Sequence, residues 1–438
     1  MNHVLHLLHL YAHLFLKVQY FRIASLGVRA ALSLQVGANS SGEGVLSIGD
    51  LGNGAAAVAP LGLLDRVSSL ADAAWMDGPG DGMGAAARRA RNKLRIGNFV
   101  TFQGAPGLWG PACCNASLLA AAEINKRGGI LGREIELVMY DAGGPIEEVT
   151  ERVARAVADE DIDIVMGSHI SAVRVALRNA IRSRVPYVYT PVYEGGERSP
   201  GVMTIGETPR WTSRPAIDWL AQVKKAQRWY LIGSDYVWPW LSHRAVKGYI
   251  NDAGGQVVGE EFVPLGEDNH ERHLERIRAA RPDVVLISLI GTDSVTFNRA
   301  FAECGLAGHV LRLAGAMDET VLLGIGADAT ENLFCASGYF SGEDTLENDE
   351  FRASYARAFG PTAPPVGSVG ESNYEGLRFL EAAAHKAQTL ARGPLLSAAK
   401  NIVYRGARGP VTLRDGRARM NIHLAQADGL DFRLLRSL

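Results

Sequence analysis

Four histidines open the chain, His3, His6, His9 and His13. Spacings of three and four put them on one face of a helix, and imidazoles so placed can converge on Zn²⁺. No acidic or cysteine ligand stands beside them, so MNHVLHLLHLYAHLFL is expected to be an amphipathic helix without metal. Near the other end, GIGADA (324–329) spells the dinucleotide fingerprint GxGxxA. No clear strand leads into it and no helix follows directly; it supports the one enzyme alternative, an NAD-dependent α/β dehydrogenase. GxSxG, HExxH and GxxxxGK[ST] are absent.

Polar and aromatic residues recur where apolar runs end. Ser168, His169 and Ser171 follow DIVMG and begin a helical pattern. Hydroxyls and free backbone N–H groups at a helix start suit a carbonyl or carboxylate oxygen, while a plain serine N-cap is the alternative. Tyr189, Thr190 and Tyr193 close VPYVYT and its turn. Such tyrosines offer either an apolar wall with a polar handle for a small amide or ordinary core packing. Tyr236 and Trp238 stand at i and i+2 after RWYLIGSD and could close over a ligand. Thr292 and Asp318 occupy the loop ends after PDVVLISLIG and HVLRLAG. Trp109, in the loop 102–109, either stacks on a ligand or packs on its own lobe. Cys113 and Cys114 beyond it read as buried thiols with no assigned role.

The 438 residues carry a net charge of −2, with 47% hydrophobic and 21% charged residues. At about 150 residues per domain this is roughly three domains. The near-neutral balance gives no support for a nucleic-acid partner. Four cysteines, two of them adjacent, do not frame a disulfide scaffold. No apolar run reaches the roughly 20 residues of a membrane span, so no direct membrane insertion is expected.

Residues 1–93 differ from the rest. Gly- and Ala-rich stretches, ANSSGEG (38–44) and DGPGDGMGAAA (77–87), favour linker behaviour. No Lys or Arg precedes the first apolar run, and Arg29 interrupts the second, so a secretory signal is not expected. The segment is read as a largely disordered or mis-started extension, with a cytoplasmic location favoured on that ground and a periplasmic one if the start lies elsewhere.

From residue 94 the hydrophobic period alternates between strand and helix. RIGNFVTF, REIELVMYD, DIDIVMG, VPYVYT and VMTIG are short apolar runs separated by amphipathic helices. RWYLIGSD, QVVGEEFVPL, PDVVLISLIG, HVLRLAG and NLFCASGYFS repeat the pattern. The tail 409–427 reads as a hairpin around Asp415-Gly416. Apolar strands alternating with helices specify parallel sheets covered on both faces, hence an α/β chain of two lobes with the default site in the cleft between them.

AAAEINKRGGILGREIELVMYD (120–141) resembles the helix–turn–strand signature of type I periplasmic-binding proteins of the leucine/isoleucine/valine-binding type. VPYVYTPVYEG (185–195) and LIGSDYVWPW (231–240) resemble the subgroup of urea and short-chain-amide receptors, including the amide sensor that regulates aliphatic amidase expression. The resemblance covers about 94–425 and implies two Rossmann-like lobes joined by a three-crossing hinge. Lobe I would hold 94–208 and 338–392, and lobe II 209–337 and 393–438.

It also implies a non-catalytic receptor, without cofactor or metal, that closes on a small amide, urea or amino acid. Its partner would be an ABC permease or a regulatory protein, and a homodimer is compatible with either. Ligand contacts would come from Ser168, His169, Ser171, Tyr189, Thr190, Tyr193, Tyr236, Trp238, Thr292 and Trp109. Asp318 would hold the ammonium if the ligand is an amino acid. The sequence departs from the amide sensor at His169, where that protein has an aromatic residue, and at Thr190-Pro191-Val192, where it has Pro-Thr-Pro.

Overall fold

The computed structural model describes residues 93–159 and 161–438, together with two short strands, β1 (Gln35–Ala38) and β2 (Gly44–Ser47), which pair antiparallel. The histidine-bearing helix expected at 3–13, and nearly all of the segment read as a disordered extension, lie outside the described residues.

Five strands make the first sheet: β3 (Lys93–Val100), β4 (Glu134–Asp141), β5 (Ile164–Ser168), β6 (Tyr187–Tyr189) and β7 (Val202–Thr204). They lie in the order β4-β3-β5-β6-β7, every pair parallel. Successive side chains point to opposite faces. Ile96, Ile164 and Met166 therefore pack against α1 (Gly110–Lys126) and α10 (Ser368–Ala387). Phe99 and Val165 pack on the other side, against α2 (Ile146–Ala158) and α3 (Ser171–Ile181).

The second sheet has seven strands. Parallel β8 (Arg228–Ser234), β9 (Gln256–Val263), β10 (Val284–Ser288), β11 (Leu311–Ala314) and β12 (Leu333–Ser337) are extended by antiparallel β16 (His423–Asp428) and β17 (Asp431–Ser437). Helix α4 (Ser213–Val223) leads into β8, and α5 (Val237–Asp252), α6 (Glu271–Ala280), α7 (Gly291–Glu303) and the short α8 (Glu319–Ile325) lie between the parallel strands in the chain. Ile232, Val285 and Ile287 belong to one apolar core, and Trp229, Leu231 and Leu286 to the other. The two-lobed α/β architecture is thus present.

The chain passes between the sheets three times: after β7, after β12, and ahead of β16. The last passage comes later than expected. Helices α9 (Leu346–Phe359) and α11 (Arg392–Ala399) and the strands β13 (Ile402–Gly406), β14 (Gly409–Arg414) and β15 (Arg417–Arg419) stay with lobe I. The alternation that half-exposes β13 and β14 turns Ile402, Tyr404, Val411 and Leu413 into the core of α1 and α10. The return to lobe II therefore falls between Arg419 and His423 rather than near 393.

The hairpin around Asp415-Gly416 exists between β14 and β15, with both turn residues at positive φ, 49° and 71°, as a tight two-residue connection demands. It ends at Arg419, because His423–Asp428 pairs with β12 and β17 instead. Among the described residues no helix is long and apolar enough to cross a membrane.

Candidate functional site

Between the lobes lies a cavity of ≈ 50 Å³, measured on the scale where one water needs about 10–15 Å³. Lobe I contributes Trp109, Ser168, His169, Ser171 and Tyr189 to its wall, and lobe II contributes Tyr236, Trp238 and Ile290. Thr101, Pro191, Val192, Ala316 and Val369 complete much of the remainder. Among the described residues that line it there is no Asp, Glu, Lys or Arg.

Helix starts dominate this wall. α3, α5 and α7 have Ile170, Tyr236 and Ile290 as N-caps; none receives a side-chain cap, and all three N-caps face the cavity. Each start leaves backbone N–H groups without an intrahelical partner, and the helix dipole adds partial positive charge there. The serine N-cap considered from sequence is not used: Ser171 Oγ donates to Glu194 Oε2 at 2.7 Å. Trp238 Nε1 and Thr101 Oγ1, side-chain atoms of lining residues, are buried without a hydrogen-bond partner among the described residues. Buried polar groups normally have one.

The tyrosine side of the wall is propped from behind. Arg174, on α3, is ion-paired with Glu194 at 2.6 Å and Glu197 at 3.2 Å. Its guanidinium lies 5.1 Å from the ring centroids of both Tyr189 and Tyr193. His169 Nε2 is 2.9 Å from the Tyr187 hydroxyl and its Nδ1 3.4 Å from the Ile170 carbonyl oxygen. Those partners assign a neutral ring, with the proton on Nδ1 and the tyrosine hydroxyl donating to Nε2. Burial, the foremost cause, pulls the imidazole pKa down to about 3. Cys113 also lines the cavity, where burial holds its thiol protonated; the neighbouring Cys114 is pushed up to about 12.

The His169 shift has a measurable consequence. An unfolded histidine takes up its proton near pH 6.5, whereas the folded one resists until about pH 3. Stability from this group is therefore present above about pH 6.5 and is lost as pH falls toward 3, by up to about 1.4 kcal/mol per pH unit. In urea titrations, the stability advantage of wild type over His169→Gln should shrink as pH is lowered from 7 to 5. A gap constant with pH would contradict the neutral, buried imidazole.

Of the eleven residues singled out from sequence, seven line this cavity: Trp109, Ser168, His169, Ser171, Tyr189, Tyr236 and Trp238. Four do not. Thr190 is buried behind the wall, hydrogen-bonded to Ser372 Oγ at 3.0 Å, and Tyr193 turns its hydroxyl to Thr204 at 2.9 Å. Thr292 is exposed at the start of α7. Asp318 is buried and accepts from Trp109 Nε1 at 2.9 Å, from Thr320 and Val321 N–H at 3.1 and 3.3 Å, and from Val369 N–H at 3.4 Å. It caps α8 and reaches across the cleft to lobe I. Ile170, Ile290, Ala316 and Val369 were missed, although Ile170 and Ile290 hold the same strand-to-helix position that drew attention to Tyr236.

Residues 93–431 match the family described as Periplasmic binding protein. The chain belongs to that family. The Leu/Ile/Val-binding protein BraC3 of Rhizobium johnstonii is 23% identical over 310 residues, 69% of this chain and 82% of that protein. Among solved structures, a solute-binding protein of an ABC transporter from R. palustris in complex with 4-hydroxybenzoate superposes with a TM-score of 0.70. It is 18% identical and covers 79% of this chain and 97% of that one. The leucine-binding protein LivK of Thermotoga maritima gives 0.69 at 18% identity, with 79% and 98% coverage.

Periplasmic binding proteins of this kind are non-catalytic receptors, and that removes the dehydrogenase alternative. The geometry of GIGADA agrees: residues 324–329 are the end of α8, a turn at Gly326 and a 3₁₀ turn at Ala327–Ala329. No strand enters a glycine loop there, and a Cβ on Gly324 would meet Val295 at 2.7 Å. The first glycine is thus a packing position. Among the described residues no group of three or more His, Cys, Asp or Glu is arranged to hold a metal ion.

Proposed function

We propose that this chain is the solute-binding component of an ATP-driven importer, closing its lobes on a small planar ligand with a carboxylate or carboxamide head and an apolar or aromatic body. The observation that carries this reading is the meeting of three uncapped helix starts at a wall without charged side chains. Oxygen acceptors suit helix N-termini. Trp109, Tyr189, Tyr236 and Trp238 offer rings against which a flat body can stack.

An α-amino acid suits the site less well. Its ammonium would sit among positive helix ends, and the nearby buried carboxylate of Asp318 already accepts from four N–H groups. Two of the solved relatives were crystallised with benzoate and 4-hydroxybenzoate, which are ligands of the favoured shape. A neutral short-chain amide or urea, bound by an importer receptor or a cytoplasmic sensor, is the second reading. It is favoured by the lack of any cationic side chain at the wall. An amide of about four heavy atoms gains at most about 6 kcal/mol, so its Kd would be tens of micromolar or weaker.

Thermal shift and titration calorimetry of the full chain with benzoate, benzamide, acetamide, urea and leucine test this. Saturation at about 100 times Kd should add about 2.7 kcal/mol of stability. Binding of benzoate or benzamide is the expected result. Binding of leucine alone would overturn it, and acetamide or urea alone would select the second reading. Trp238→Ala should weaken the bound ligand by about 2 kcal/mol or more, roughly 30-fold, as for a buried aromatic anchor. Trp240→Ala, on the same helix but 50% exposed, should leave affinity unchanged.

A further inference from the structure

A second cavity, ≈ 20 Å³, lies against the hinge and shares Val192, Ala316 and Val369 with the first. That space admits one or two water-sized groups, enough for a substituent and too little for a second ring. Its hinge side is polar, where Glu207 and Ser337 line it.

Glu207 is 6% exposed. Its Oε1 accepts from Arg408 Nη1 at 2.7 Å and from the Gly338 N–H at 3.0 Å. Among the described residues none donates a hydrogen bond to Oε2. Ser337 Oγ accepts from the Tyr339 N–H at 3.4 Å and, among the described residues, gives its own proton to no acceptor. The cavity thus combines an open carboxylate oxygen with an uncommitted hydroxyl proton. A carboxylate accepts only, and a serine hydroxyl can both give and take. A group that donates to one and accepts from the other satisfies both.

Resting on the reading above that the main cavity holds a planar ligand by its oxygen head, we propose that the second cavity is a subsite for a hydroxyl substituent on that ligand, with Glu207 as the specificity-determining residue. Glu207 also belongs to the first passage between the lobes and is ion-paired to Arg408, so a hydroxyl bound there engages the hinge directly.

The test is calorimetry of the full chain with benzoate and 4-hydroxybenzoate. Wild type should bind the hydroxylated ligand about tenfold more tightly or better, because a site built for a hydroxyl penalises the analogue that lacks it. Glu207→Gln should erase most of that preference and leave benzoate affinity within about twofold. Since this change also touches the Arg408 ion pair, Ser337→Val provides a version that leaves the pair intact. It fills the subsite and should lower 4-hydroxybenzoate affinity to the benzoate level or below. Equal wild-type affinity for the two ligands, or a preference that survives in Ser337→Val, overturns the subsite while the receptor reading stands. Failure of both ligands to bind removes the planar-ligand reading and the subsite with it.

Discussion

Replacing Arg408 by methionine should cost about 3–5 kcal/mol of unfolding free energy, the largest single-site effect expected in this chain. Arg408 is 4% exposed, and its guanidinium serves three buried carboxylates: Glu207 at 2.7 Å, Glu375 at 3.0 Å, and Glu371 through Nε at 3.1 Å. Its Nη1 also lies 3.1 Å from Met420 Sδ, so one side chain touches the first passage between the lobes at Glu207 and the third at Met420. Methionine preserves much of the volume and removes the charge, leaving the carboxylates without their cation. Urea unfolding followed by circular dichroism measures the loss, and a change below about 1 kcal/mol would show that the cluster is not held by its arginine.

Carboxylates outnumber cations in this cluster. Burial first, then the neighbouring carboxylates, raise Glu371 well above its ordinary range and Glu375 in the same direction. A protonated Glu371 is mimicked by glutamine, so Glu371→Gln should cost far less than Arg408→Met. A raised folded-state pKa contributes stability that is complete below the unfolded value, near pH 4.5, and is lost as pH rises through the folded value. Glu371→Gln should flatten that part of the pH profile.

Asp318→Ala is expected to cost about 2–4 kcal/mol and to loosen the contact between the lobes. The carboxylate is fully buried, and burial raises its pKa against the pull of its N–H donors. Two of these donors, Thr320 and Val321, start its own helix, and losing such a cap costs about 1 kcal/mol. The other two, Trp109 Nε1 and the Val369 N–H, belong to lobe I. Without Asp318 they stay buried and unpaired, at roughly 1–3 kcal/mol for a group left so. Small-angle scattering of the unliganded variant should show a larger radius of gyration than wild type. An unchanged radius with lowered stability would mean that Asp318 acts only as a cap. The residue chosen from sequence as a contact for an amino-acid ammonium thus joins the two lobes.

Local pattern made much of this molecule readable. Strand-to-helix alternation is set by side-chain period, which neighbouring residues report, so both sheets and most of their strands could be placed from residue 94 onward. The start of a helix after a buried strand is likewise a local signal, and it led to Ser168, Ser171, Tyr236 and Trp238. The same signal led to Thr292, which is solvent-exposed, because strand ends point to one edge of a sheet but do not say which side chains face the other lobe.

The sequence by itself determined the α/β class, the strand-and-helix order of the two lobes and the turn at Asp415-Gly416, since each rests on contacts or conformations within a few residues. Only the tertiary structure decided that β13–β15 belong to lobe I, that Asp318 bonds to Trp109, 209 residues away in the chain, and that Arg408 gathers Glu207, Glu371 and Glu375. These are pairings between segments far apart in sequence. A buried charge acquires its partner only when the whole chain has packed, and no spacing of residues records which partner that is.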